Sequence, residues 1–393
     1  PRFSPPFGRT MSDWTRRALD ALAQLDRLRT LRPVSPEGPC RVRFDGRLIR
    51  LFSSNDYLGL SSHPAVRNAL VDAAERHGVG PRGAALICGF TDEHRALEHT
   101  LAQLKGTDSA LLFPTGYQAN VALLSALGTS ESTLFSDALN HASIIDGCRL
   151  SRARVRVYRH RDLNHLEALL ADTEGRKIVV TDEIFSMDGV GAPLAEMAEL
   201  KARYDFTWVT DSAHSTLVYG PGGAGWAAAC GVSAAVDFQV GTLSKAVGAH
   251  GGFVACAAPL RELLLSRGRP GVYSTALPLP VIAAARAALS AATPAVRARL
   301  WHNVAEFGAA MGCTLTSPIV PIIVGESSEA LAASARLLRA GFHVPAIRPP
   351  TVPRGTARLR VALSAAHDPE AVRALARELA AMGFTSKNIH GRL

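Results

Sequence analysis

The feature that most restricts what this chain can fold into is the alternation, between residues 109 and 256, of short apolar runs with helical runs. Strand-like segments occupy Ser109 to Phe113, Ser132 to Ser136, Arg154 to Tyr158, Lys177 to Thr181, Phe206 to Thr210, Val236 to Val240 and Phe253 to Cys256. Helical spacing fills intervals such as Tyr117 to Leu127, Leu163 to Ala171 and Leu194 to Tyr204. Strands alternating with helices predict an α/β fold with a mostly parallel sheet. Several of the strands are apolar throughout, which fits burial on both faces. A long Ala-rich helix is expected from Pro280 to Ala309. Beyond it, strands at Ile319 to Val324 and Arg358 to Leu363, with helices at Ser328 to Ala340 and Pro369 to Met382, outline a smaller α/β unit. The expected division is an N-terminal arm (1–57), a large sheet domain (58–285) and a small C-terminal α/β domain (286–393). In the arm, leucines 19, 22, 25, 28 and 31 predict a helix within Ser12 to Arg32, followed by strands near Arg41 to Phe44 and Leu48 to Phe52. Residues 1–10 precede Met11 and are read as a tag remnant or a mis-assigned start.

Composition narrows the class. Hydrophobic residues make up 47% and charged residues 20% of the 393, which is globular rather than disordered. The net charge of +9 is spread along the chain without a nucleic-acid reader motif, so it is read as a basic surface that also attracts an anionic substrate. None of the six cysteines falls in a C-x-x-C pair. That argues against a zinc site or a disulfide framework, and for a reduced cytoplasm. No apolar stretch is long enough to span a membrane, and the N-terminus lacks a signal peptide's apolar core. The expected chain is a cytoplasmic protein without a metal, a membrane or a nucleic-acid partner.

In open α/β sheets, ligands bind beyond the carboxyl ends of the strands. Several chemistry-bearing segments fall there. Thr115-Gly116-Tyr117 opens a helix whose first amides suit a phosphate, though a glycine at such a turn is more often only a turn. His141, in Asn140-His141-Ala142-Ser143, can lie flat on an aromatic ring; a lone histidine would count for little. Asp182 is placed to support His141, and Ser186 to hydrogen-bond a ring hydroxyl, against the plainer reading of an acidic loop. Asp211-Ser212-Ala213-His214 ends one strand, and Thr242-Leu243-Ser244-Lys245 follows another. Asp211 alone would be an ordinary helix cap. Together with Lys245 it forms the paired signature of a pyridoxal-phosphate enzyme: the lysine forms the Schiff base, and the aspartate keeps the pyridine nitrogen protonated.

With these motifs the chain, from about Leu51 onward, resembles the α-oxoamine synthases, within the fold-type-I pyridoxal-phosphate enzymes. The resemblance also rests on Phe52 to Leu60, on Phe185-Ser186-Met187-Asp188-Gly189 with Ala192-Pro193-Leu194, and on Tyr273-Ser274-Thr275. The stretch from Ala346 to Pro353, then Gly355 to Arg360, points to the branch that joins L-alanine to a pimeloyl thioester. The run Gly80 to Leu86, Thr115, Tyr117 and Ser215-Thr216-Leu217 depart from the usual family pattern.

The resemblance implies a homodimer with pyridoxal 5'-phosphate at Thr115, Gly116, Tyr117, His141, Asp182, Ser186, Asp211, His214, Thr242 and Lys245, and with Ser274 and Thr275 reaching the neighbouring subunit's phosphate. It implies substrate contacts from Arg29 (acyl substrate), Asn55, His141 (developing oxyanion), Arg348 (amino-acid carboxylate) and Thr351. Lys245, Asp211 and His141 carry the catalysis in this reading. The thiol carrier, coenzyme A or a carrier protein, stays open. So do sister activities on glycine or serine, and, far behind them, a basic nucleic-acid-binding protein without catalysis.

Overall fold

The computed structural model describes residues 12–24 and 28–389. The reading of residues 1–10, and Leu25 of the arm's leucine series, lie outside them. At its centre is a seven-stranded sheet in the spatial order Ser109–Phe113, Gly252–Cys256, Phe238–Thr242, Thr207–Asp211, Arg176–Asp182, Ser132–Asp137 and Arg154–Tyr158. Gly252–Cys256 runs antiparallel to both its neighbours, and the remaining pairs are parallel. The reason is the short 243–251 connection. A parallel return needs a crossover of about a dozen residues or more, whereas a short loop can only reverse the chain. Three of the inner strands, Ser132–Asp137, Phe238–Thr242 and Gly252–Cys256, are buried along their whole length, as strands covered by helices on both faces must be.

A second sheet pairs Ile319–Gly325 and Ala346–Ile347 with Ala357–Ala362, all antiparallel. Near the N-terminus, Arg41–Phe44 and Arg47–Leu51 form a hairpin. Its turn residues Asp45 and Gly46 both have positive φ, 47° and 76°. That is the Asp-Gly geometry that suits the twist of a two-residue hairpin. Phe342–His343 adds to this hairpin in parallel. One apolar cluster joins Phe52 and Leu58 to Ile322, Leu359 and Leu379, so the second sheet shares a core with elements beside the first.

Three expectations need correction. The Ala-rich helix is two helices, Leu279–Ala291 and Pro294–Met311, bent by 75°. Pro294 cannot donate an amide hydrogen and sits at the first helical position, while the Thr293 hydroxyl accepts from Val296 N. The arm helix is described only over Asp13–Gln24, and residues 28–32 are not helical. No residue of that helix is buried, so packing does not reinforce its propensity. The strand expected at Val236 to Val240 runs Phe238–Thr242 instead. Val236 closes a tight turn onto Ser233, and the Asp237 carboxylate accepts from Trp208 N at 2.6 Å. Among the described residues, no single helix is long and apolar enough to cross a membrane, and no cluster of His, Cys, Asp and Glu is arranged to hold a metal ion.

Candidate active site

Lys245 sits on the reversal between Phe238–Thr242 and Gly252–Cys256. Three backbone bonds fix that reversal: Leu243 N to Gly251 O (2.9 Å), Gly248 N to Lys245 O (2.8 Å) and Ala249 N to Leu243 O (2.8 Å). Gly248 has φ +71°, and a Cβ there would stand 2.4 Å from Ser61 N, so only glycine lets the loop lie against the 60–61 backbone.

The Lys245 amine lies 2.8 Å from His214 Nε2. Burial pushes the amine down to about 8, against the attraction of Asp211 and Asp182. Burial, then the Lys245 charge, hold His214 well below the usual histidine range, so its ring is neutral. With the lysine donating to Nε2, the ring proton belongs on Nδ1, which meets Tyr57 Oη at 2.6 Å. Tyr57 Oη in turn donates to Asn55 Oδ1 at 3.3 Å. Asn55 Oδ1 also accepts two Arg360 N–H groups at 3.2 Å, and Arg360 Nε donates to Ser186 O at 2.6 Å. One polar chain thus runs from Lys245 to Ser186, which takes part through its carbonyl.

Asp211 ends its strand directly opposite Asp182 on the neighbouring one. Its Oδ1 accepts from Ala213 N (2.8 Å) and its Oδ2 from Asn120 Nδ2 (2.6 Å). Asn120 Nδ2 also donates to Ser143 Oγ (2.9 Å), which meets His141 Nδ1 at 2.7 Å. Asp182 meets His141 through the backbone: its Oδ2 accepts from His141 N at 2.8 Å, while the ring turns to Ser143. Burial first, and the Asp211 charge second, raise Asp182 well above the ordinary carboxylate range. Burial also lowers His141, against the pull of Asp211.

Thr115 caps the helix Gly116–Leu127, its hydroxyl accepting from Gln118 N at 3.1 Å. A Cβ on Gly116 would lie 3.0 Å from Thr242 Cβ, so this turn packs directly on the segment that leads to Lys245. Thr242 Oγ1 donates to Gly251 O (2.9 Å) and meets Ser244 Oγ (2.8 Å). Tyr117 Oη donates to the Asp146 carboxylate. Ser274 Oγ accepts from Gln118 Nε2 at 3.1 Å within the same chain. Thr275 bridges to Ala84 and, with Ser274, lines a separate cavity of ≈ 710 Å³.

This donor set fits pyridoxal phosphate. It offers a buried amine for an aldehyde, a carboxylate with capacity left beyond two accepted bonds, and a helix start whose leading amides have no intrahelical partner. The buried Asn120 Oδ1 has no partner of its own within this wall, so the wall is polar and not fully self-satisfied.

Arg29, Arg348 and Thr351 come together in another pocket of ≈ 280 Å³, whose walls include neither Lys245 nor Asp211. Asn120, Tyr57 and Arg360 were not singled out from sequence. Signals existed for each: Asn120 is one helical turn after Gly116, Tyr57 is two residues after Asn55, and Arg360 closes the 355–360 stretch.

Residues 49–379 match the model of the family described as aminotransferase class I and II. Solved chains share the architecture. Sphingomonas wittichii serine palmitoyltransferase superposes with a TM-score of 0.88 at 33% identity, covering 94% of this chain and 96% of that one. A serine palmitoyltransferase with its pyridoxal-phosphate internal aldimine gives 0.88 at 30%, over 94% and 97%. Francisella tularensis 8-amino-7-oxononanoate synthase gives 0.74 at 28%, over 85% and 98%. The fold is therefore that of the fold-type-I pyridoxal-phosphate transferases, and the chain belongs to the aminotransferase class I and II family. Within it, the α-oxoamine synthase kinship is borne out by curated relatives. The chain is 50% identical to the Arabidopsis thaliana 8-amino-7-oxononanoate synthase, covering 83% of this chain and 73% of that one. It is 49% identical to that of Anaeromyxobacter dehalogenans (strain 2CP-1 / ATCC BAA-258), over 94% and 95%.

Proposed function

We propose that this chain is a pyridoxal-phosphate-dependent acyltransferase, an 8-amino-7-oxononanoate synthase of biotin biosynthesis. It joins L-alanine to a pimeloyl thioester of coenzyme A or a carrier protein, with loss of carbon dioxide and the free thiol carrier. The observation that carries this reading is the buried Lys245 amine, 2.8 Å from His214, in a chain half-identical to enzymes of that name.

Bound pyridoxal phosphate supplies an aldehyde for lysine and amino acid and a ring that accepts electrons. The residues supply the rest. The amides around Gly116 and Tyr117 would hold the phosphate, and Asp211, steadied by Asn120 and Ala213 N, would keep the ring nitrogen protonated. His141 would stack on the ring and hydrogen-bond a developing oxyanion. Lys245, unprotonated above about 8, accepts and returns the proton at the alanine Cα, with His214 and Tyr57 holding its nitrogen in place.

For the alanine carboxylate, the 5% exposed Arg360 joins the Lys245 chain, so we assign it that contact. Arg348, the arginine first expected there, we place with Arg29 and Thr351 on the acyl-thioester path. Homodimerisation, with Ser274 and Thr275 near a neighbouring site, a cytoplasmic location and the 58–285/286–393 domain division belong to the same proposal.

The serine palmitoyltransferase likeness keeps a sister activity as second reading, at 30–33% identity against 49–50%. A panel of alanine, glycine and serine against pimeloyl, acetyl and palmitoyl thioesters decides. Alanine with pimeloyl-coenzyme A should give the highest kcat/KM. Since one methyl in a fitted pocket is worth about 1–3 kcal/mol, glycine should trail by roughly 10- to 100-fold. A faster serine–palmitoyl or glycine–acetyl pair overturns the assignment.

A further inference from the structure

On the sheet face opposite the candidate site, Glu183 is fully buried and takes no part in the chemistry above. Adjacent strand residues point to opposite faces, so Thr210 lies behind Asp211, and Glu183, just past the strand end at Asp182, meets Thr210 on that face. Its Oε1 accepts from Thr210 Oγ1 at 2.9 Å. Its Oε2 accepts from Trp226 N at 2.9 Å and from the Ser215 hydroxyl. Its own backbone N–H donates to Asp211 O at 2.8 Å. The three segments that it ties together each carry a site group next in sequence: Asp182 before Glu183, Asp211 after Thr210, His214 before Ser215.

Lys105, 2% exposed, reaches the same point from the helix Asp92–Lys105 and donates from Nζ to Ala224 O at 2.7 Å. A Cβ on Gly225 would lie 3.0 Å from Lys105 Nζ and 3.1 Å from Glu183 Oε2, so amine and carboxylate converge on the space that glycine leaves open. Carrying two charges into the interior is costly unless each is paired and hydrogen-bonded. Here the carboxylate has three side-chain and backbone donors and a cation near it, and two of the donors, Thr210 and Ser215, sit next in sequence to site groups.

We propose that Glu183, with Lys105 as its countercharge, is a positioning residue: one buried carboxylate that sets Asp182, Asp211 and His214 relative to one another and so fixes the cofactor pocket. This rests on the reading of that pocket as the pyridoxal-phosphate site.

The test measures three things on Glu183→Gln, Thr210→Val, Ser215→Ala and the charge-neutral pair Lys105→Met with Glu183→Gln. They are the Kd of apoenzyme for pyridoxal 5'-phosphate, the pH midpoint of adduct formation at Lys245, and the Tm. Lys245 is faced by Asp211, Asp182, His214, His141 and Arg360, so displacement of the first three moves its midpoint. Glu183→Gln should raise Kd by about tenfold or more, the scale of one lost charge-assisted hydrogen bond, and shift the midpoint. Thr210→Val and Ser215→Ala should do the same to a smaller degree. The double variant should regain Tm relative to Glu183→Gln without regaining affinity. If Glu183→Gln fails to fold, the two hydroxyl variants and the double variant carry the test. Unchanged Kd and midpoint in every folded variant, with only Tm lowered, overturn the proposal and leave a purely stabilising cluster. A Lys245→Ala control separates the two readings: if it still forms the lysine adduct, the pocket assignment itself fails.

Discussion

Lys245 Nζ and His214 Nε2 stand 2.8 Å apart, and the opposite ring nitrogen of His214 meets Tyr57 Oη at 2.6 Å. The histidine is a spacer that hands a hydrogen-bond direction from the buried tyrosine to the amine. Tyr57→Phe keeps the ring but leaves His214 Nδ1 without its partner. Loss of one such buried bond is worth about 1–3 kcal/mol, so kcat should fall roughly 10- to 100-fold while KM for alanine changes little. Steady-state kinetics check this.

The depressed Lys245 amine makes a pH prediction. Folded apoenzyme should react with pyridoxal 5'-phosphate along a curve with a midpoint about 8, the value burial gives this amine, not the ordinary lysine value of 10.5. The same shift acts on stability. Between about 8 and 10.5 the unfolded lysine holds a proton that the folded one has released, so apoenzyme stability rises with pH across that window and its gain is absent below it. Lys105, also lowered to about 8, adds in the same sense. Denaturant midpoints for Lys245→Ala against wild type, from pH 7 to 10, should show a smaller rise in the variant.

Asn120→Ala removes the 2.6 Å bond to Asp211 and the contact with Ser143. A hydrogen bond to a buried carboxylate is worth about 1.5–3 kcal/mol, so Kd for pyridoxal 5'-phosphate should rise roughly 10- to 100-fold. Titration of apoenzyme followed by absorbance reads it directly.

Asp211→Asn keeps the shape and loses the charge. Exchange of the alanine Cα hydrogen for deuterium should slow on the order of 10³-fold or more. Near-normal exchange would remove Asp211 from the role assigned to it.

The two arginine sites separate by kinetics. Arg360→Lys retains a cation but loses the planar fork, and should raise KM for alanine about tenfold or more. Arg348→Ala and Arg29→Ala should raise KM for the thioester and leave that for alanine within about twofold, if they line only the acyl path. The reverse pattern for Arg348→Ala would return the carboxylate to it.

Much of the large sheet was legible because buried parallel strands are short, apolar and separated by helices. The Leu163–Ala171 helix falls where spacing put it, and so does the Arg154–Tyr158 edge strand, although it is mostly exposed and two of its five residues are arginines. The helix break at Thr293 was written in Pro294, but the alanine run on either side outweighed it. Strands as short as Phe342–His343 leave no periodicity at all; pairing with Arg47–Leu51 creates them. Within the site, residues on strand ends stood out, since each follows an apolar run. Asn120 and Tyr57 did not, because an amide inside a helix and a tyrosine leading into Leu58-Gly59-Leu60 read as packing until their partners from 91 and 157 residues away are seen.

The reversal that presents Lys245 closes on itself through bonds within 243–251, and Gly248 presses it against the 60–61 backbone. The reactive nitrogen is therefore already aimed before any cofactor arrives. Capture of the aldehyde forfeits little chain freedom at this end of the pocket, and the entropic toll of assembly falls on substrates instead.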